Sequence, residues 1–159
     1  CLLVSADVPA IRPEMIDWRV KSALADAADI DYAVVDRRTM ERRFPGSNRS
    51  YLKLKDVEVC GGDVNVVRVD VAAREELWER IIAARKNVFK QAMLLGFDTL
   101  LLILLRRLTL AKAEQLVSAR LGLRGRVRLS PYAELAMDVD KPHQLAIIEQ
   151  DLSRTQQGS

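Results

Sequence analysis

Short apolar runs alternate with longer amphipathic stretches along this chain. Residues 1–5 read Cys-Leu-Leu-Val-Ser and pass into Ala6-Asp7-Val8-Pro9, which predicts a buried strand of parallel type with an acid just beyond its C-terminal end. Pro13 opens a helix at a first-turn position where its missing N–H costs nothing, and Ile16, Val20, Leu24 and Ala27 repeat along one face. A second strand is expected over 31–35. Residues 37–55 then form a long connection with turn chemistry at Pro45-Gly46-Ser47-Asn48. Tyr51, Leu52 and Leu54 lead into Val57 and Val59, Gly61-Gly62 interrupts, and Val64, Val66 and Val67 resume an extended pattern.

From 72 to 95 the spacing becomes helical, with Leu77, Ile81, Ile82, Val88 and Phe89 set among charged positions. Gly96 separates this stretch from a helix at 100–108, and Thr109 caps another that runs to Gly122. Residues 126–129 return to strand. A segment Pro131 to Pro142 carries Asp138 and Asp140, and a last helix is expected over 142–152. The alternation predicts an α/β fold with a mainly parallel sheet, whose ligands would bind beyond the carboxyl ends of the strands.

At 159 residues the chain is one domain, spanning 1–159. Its 49% hydrophobic and 30% charged residues are those of a globular chain with an ample core. A net charge of +3 does not call for nucleic acid as a partner. Two cysteines, Cys1 and Cys60, make neither a disulfide framework nor a zinc pattern, and a reducing, cytoplasmic setting fits them. The greasiest segment, 92–105, is broken by Gly96 and Asp98 and is short of the ~20 residues that span a bilayer, so it reads as buried helix and no membrane partner is expected. The chain begins without Met on an apolar strand, which predicts a piece of a longer domain.

Asp7 and the pair Asp138 and Asp140 follow apolar segments, so folding can bring them to one rim. Mg²⁺ is hard, prefers oxygen and is commonly held by one or two carboxylates plus substrate phosphates, which suits such a pair of sites. An Asp after a strand also serves as a turn former, and Asp140 is well placed to cap the helix at 142. The connection 37–55 holds Arg37, Arg38, Arg42, Arg43, Arg49, Lys53 and Lys55 against Glu41 alone, which fits a phosphate-rich ligand or a solvated loop. Gly61-Gly62 admits close backbone approach to a ligand, or a bulge. His143 is read as a surface residue, Cys60 as core, and Trp18 and Trp78 as helix packing.

Taken together, Leu3-Val-Ser-Ala-Asp7-Val-Pro9, Pro13-Glu-Met-Ile16, Arg43-Phe-Pro-Gly-Ser-Asn-Arg49-Ser-Tyr51-Leu-Lys-Leu-Lys-Asp56, Gly61-Gly62 and Met137-Asp138-Val-Asp140-Lys-Pro142 resemble the later two thirds of a MobA-like NTP transferase domain. The resemblance implies a nucleotide-diphospho-sugar-transferase-like, GT-A-like α/β/α sandwich, N-terminally truncated and lacking the glycine-rich NTP-binding segment. It implies transfer of a nucleotidyl group from an NTP to a phosphorylated small-molecule acceptor, with Mg²⁺ as cofactor and pyrophosphate as product. Asp7 and Asp138 are the implied catalytic acids, and the implied metal ligands are Asp7 with Asp138 or Asp140. Arg49, Lys53, Gly61, Gly62 and Asp63 fall on the acceptor side, and Lys86 faces either the phosphates or, on a solvated helix face, water. Asp63 stands where relatives often have Asn, which leaves the acceptor open. As given, the piece is expected to be inactive and to lack NTP affinity. The alternatives are a glycosyltransferase using Asp138-Val-Asp140, and a non-catalytic module dimerising through the leucine-rich helices at 100–121.

Overall fold

A computed structural model describes residues 1–85 and 96–157. The elements in chain order are β1 (Leu2–Val4), α1 (Pro13–Leu24), β2 (Ile30–Asp36), α2 (Arg37–Arg43), β3 (Leu52–Lys53), β4 (Glu58–Gly61), β5 (Val64–Val67), α3 (Val69–Ala72), α4 (Glu75–Arg85), α5 (Phe97–Leu104), α6 (Leu110–Leu121), β6 (Gly125–Leu129), a 3-10 turn (Ala133–Ala136) and α7 (Pro142–Gln157). The end of the helix expected to reach 95 lies outside the described residues.

β2 is the hub of the sheet because Ala33, Val34 and Val35 are apolar in succession and can be buried on both faces. On one side it pairs in parallel with β6, Ile30 opposite Gly125 through Val34 opposite Leu129. On the other it pairs antiparallel with β5 at Ile30 and Asp31, and with β4 from Val34 to Asp36. β5 also pairs antiparallel with β1, and β4 with β3.

The mainly parallel sheet expected from the sequence is therefore not found. Four of the five ladders are antiparallel and only β2 with β6 is parallel. The reason is local. β4 and β5 are two halves of one bulged strand that lies against β2 and runs opposite to it, and Gly61-Gly62 marks the bulge. There the Gly62 N–H donates to the Ala33 carbonyl at 2.9 Å, and a Cβ on Gly62 would stand 2.9 Å from that same oxygen, so a side chain does not fit. Asn65 restores the interrupted ladder: its Oδ1 accepts from the Ala33 N–H at 2.8 Å and its Nδ2 donates to the Gly62 carbonyl at 3.0 Å.

Helices cover both faces of the sheet. Val35 packs with Met40 and Phe44 of the α2 region, Met137, and Ile148 of α7, while Val34 turns the other way to Leu54, Val59 and Leu108, with Leu102, Ile103, Ala113 and Leu116 of α5 and α6 against them. The helix α2 corrects the expectation of an irregular basic connection from 37. Asp36 caps it, its carboxylate accepting from the Thr39 N–H at 3.0 Å and the Thr39 hydroxyl at 2.6 Å. At α1 the helix stops at Leu24, short of Ala27, and leaves Leu24 exposed.

The apolar helix α5 is only partly buried: Leu102 and Ile103 face the core, but Phe97, Leu101 and Leu104 are exposed. Among the described residues no helix is long and apolar enough to cross a membrane.

Candidate functional site

Three segments meet at the end of β1. The Ser5 N–H donates to the Asp63 carbonyl at 3.0 Å, and the Asp63 N–H donates to the Leu135 carbonyl at 2.8 Å. The Val139 N–H donates to the Asp7 carbonyl at 3.0 Å. The loop after β1, the bulge between β4 and β5, and the segment after the 3-10 turn are thus laced together by main-chain bonds, and the bulge is what offers its backbone to both sides. Val8, Ala136 and Met137, close in sequence to these bonded residues, are buried.

The lacing brings the predicted acids together. One carboxylate oxygen each from Asp7, Asp138 and Asp140 lie within 4.8 Å of one another. Asp7 and Asp140 are exposed and Asp138 is buried, so the cluster has a dry floor and a wet rim. Opposite ligands of Mg²⁺ at ~2.1 Å stand ~4.2 Å apart, so a small side-chain rotation would close this spread around a hard cation. An all-oxygen, all-carboxylate donor set is the chemistry such an ion takes.

One positive charge reaches the floor of the cluster. Arg49 forms an ion pair with Asp138, Nη1 to Oδ1, and both side chains are largely buried. Arg49 sits in the loop after α2, where the Ser47 N–H donates to the Phe44 carbonyl at 3.2 Å and Asn48 takes a left-handed φ of 50°. The same guanidinium lies beside Cys60, whose thiol is pushed up by burial, an effect that Arg49 partly offsets. That thiol is core, bonded to the Val35 carbonyl at 3.5 Å, and stays protonated.

The other residues anticipated from sequence hold different places. A Cβ on Gly61 would meet the Tyr32 hydroxyl, the movable end of an exposed side chain, so packing against β2 demands glycine at Gly62 but not at Gly61. Asp63 contributes its backbone to the junction. Lys53 lies on the edge strand β3 opposite Glu58, at the end of β4 away from Gly61. Lys86 lies outside the described residues.

Gln144 was not legible as a site residue. Only 1% exposed, it accepts from the Asp140 N–H at 3.1 Å through Oε1 and donates to the Ser47 carbonyl at 3.3 Å through Nε2. His143 also reaches that carbonyl, at 3.1 Å, although it is exposed as expected. One side chain therefore ties the Asp140 loop to the Arg49 loop.

Glu134 is a second buried link, accepting from Arg43 Nε at 2.7 Å and facing Arg12 at 3.7 Å. Arg43 also donates to both oxygens of Asp151 on α7, at 2.6 and 2.7 Å. Tyr51, near this region, has its hydroxyl pushed up to about 12 by burial and by the Glu41 carboxylate. It donates to Glu41 at 3.2 Å and is not poised as an acid or base near neutral pH.

No family model and no curated protein matches the chain. Among solved structures it is similar to a hypothetical transferase structure from Thermus thermophilus, at 31% sequence identity and a TM-score of 0.82. The match covers 91% of this chain and 62% of that one, so the chain spans about three fifths of the length of the structure it matches.

Proposed function

We propose that this chain carries the metal-binding part of a Mg²⁺-dependent nucleotidyltransferase, which moves a nucleoside monophosphate from an NTP to a phosphorylated small-molecule acceptor. The observation that carries the reading is the convergence of Asp7, Asp138 and Asp140 within 4.8 Å, from segments 131 residues apart at their first two members. Two further supports are the similarity to a structure described as a hypothetical transferase and the resemblance of these segments to MobA-like NTP transferases.

In this reading Asp7, Asp138 and Asp140 hold the cation, and Arg49 adds a fixed positive charge beside Asp138. When bound, Mg²⁺ supplies charge neutralisation for the polyphosphate and a template for its orientation. The acceptor phosphate is anionic near neutral pH, so it attacks the α-phosphorus without a protein base. The bond from that phosphorus to the bridging oxygen breaks, and pyrophosphate leaves with the electron pair. The protein's task is alignment and charge, which carboxylates held by a main-chain lattice can serve.

The test is pyrophosphate release from NTPs offered with phosphorylated acceptors, run on the product of the whole gene. The expected result is Mg²⁺-dependent release that Asp7→Asn abolishes. Cleavage of nucleotide sugars without pyrophosphate release, or full activity in Asp7→Asn, would overturn the reading.

A further inference from the structure

We propose that Arg49 is the resident counter-ion of the acidic cluster: it neutralises Asp138 while no divalent cation is bound, and competes with the incoming cation for that carboxylate. The inference rests on the reading of Asp7, Asp138 and Asp140 as a cation site, and it assigns Arg49 the role of tuning how tightly that site binds.

Three carboxylates within 4.8 Å repel one another, and the most buried of them pays most for remaining ionised. Arg49 is paired with that member and not with the exposed Asp7 or Asp140. The pair is shielded, with side-chain exposures of 14% for Arg49 and 12% for Asp138, so solvent screens it little. Arg49 is also delivered to its place by the machinery that sets the acids. Gln144 holds the Ser47 carbonyl two residues before Arg49 and the amide of Asp140 at once. The guanidinium is therefore a built part of the cluster.

The charge arithmetic then fixes the sign of its effect. A divalent ion entering beside a guanidinium on the same carboxylate meets repulsion from it. Removing the charge at position 49 should make the cluster more attractive to a cation. A side chain that merely oriented Asp138 would have the opposite effect, because its loss would loosen a ligand and weaken binding. With a cation held by the three carboxylates, some of the guanidinium's donors would be left to face an anionic substrate.

The experiment is calorimetric titration of this chain with Mn²⁺ alone, for the wild type, Arg49→Met and Arg49→Lys, with thermal unfolding in chelator alongside. Arg49→Met is expected to bind Mn²⁺ about tenfold more tightly than wild type, within the usual range of coupling between neighbouring sites. It is also expected to lose stability in chelator and regain it with Mn²⁺. Arg49→Lys keeps the charge and should stay close to wild type. Wild-type binding with equal or weaker binding by Arg49→Met overturns the counter-ion role and leaves the cation site standing. No Mn²⁺ binding by either protein overturns both. If Arg49→Met does not fold, Arg49→Gln replaces it under the same expectations.

Discussion

The amide of Val139 donates to the carbonyl of Asp7 at 3.0 Å, joining the two acid-bearing loops through main chain alone. The convergence of the acids is thus built into the backbone and does not depend on their own charges. Asp7→Asn is accordingly expected to leave the unfolding free energy within about 0.5 kcal/mol of wild type, as for exposed positions generally. Mn²⁺ affinity should fall at least about tenfold, the scale seen when a support of a metal site is lost. Circular dichroism with urea unfolding, beside an Mn²⁺ titration, separates the two effects.

Gly62 is where a side chain has nowhere to go, since its Cβ would stand 2.9 Å from the Ala33 carbonyl oxygen and 3.1 Å from the Ala33 Cβ. Backbone atoms in mid-sheet cannot step aside. Gly62→Ala is expected to destabilise by about 1–3 kcal/mol, read from the urea midpoint at constant slope. Because Asp63 joins β1 to the segment before Asp138, the same variant should also weaken Mn²⁺ binding.

Arg19 is wholly buried on α1, with its Nη2 2.8 Å from Asp31 and its Nε donating to the Val64 carbonyl at 2.9 Å. Burial lowers its affinity for a proton, and Asp31 works against that. Arg128 also grips Asp31, but from a position 21% exposed. Arg19→Ala should cost about 3–5 kcal/mol, the usual cost of orphaning a buried partner. Arg128→Ala should cost less, and paired urea curves decide the order.

Arg43 holds the Asp151 carboxyl below its ordinary value of 3.8 through two charge-assisted hydrogen bonds. A carboxyl with a depressed folded value stabilises the protein fully above its unfolded value, and that contribution fades as pH falls through the folded one. The clip between α2 and α7 should therefore be constant from pH 5 to pH 8 and weaken below about pH 4. In Asp151→Asn the acid side of the stability profile should be shallower, as checked by urea unfolding at a series of pH values.

The meeting of the three acids could be read from the chain because Asp7 and the pair Asp138 and Asp140 stand at the ends of apolar segments, which folding can bring to one rim. The sheet direction could not, because period and composition mark a strand without its orientation. Gly61-Gly62 looked like an interruption between two strands, whereas it is the bulge of one strand running against β2. The helix at Arg37–Arg43 was hidden by its arginines, since its only clear signals are Met40 facing the core and the cap of Asp36 on Thr39. Arg19 and Gln144 escaped for a shared reason. A polar residue that is buried and satisfied by distant segments looks, in sequence, like one that faces water.

The cation site itself is tested most directly by soaking crystals of this chain in Mn²⁺ and collecting anomalous diffraction. One strong peak is expected, bounded by the carboxylates of Asp7, Asp138 and Asp140 and absent from Asp7→Asn crystals. A map with no peak between those three side chains, or with the same peak in the variant, would contradict it.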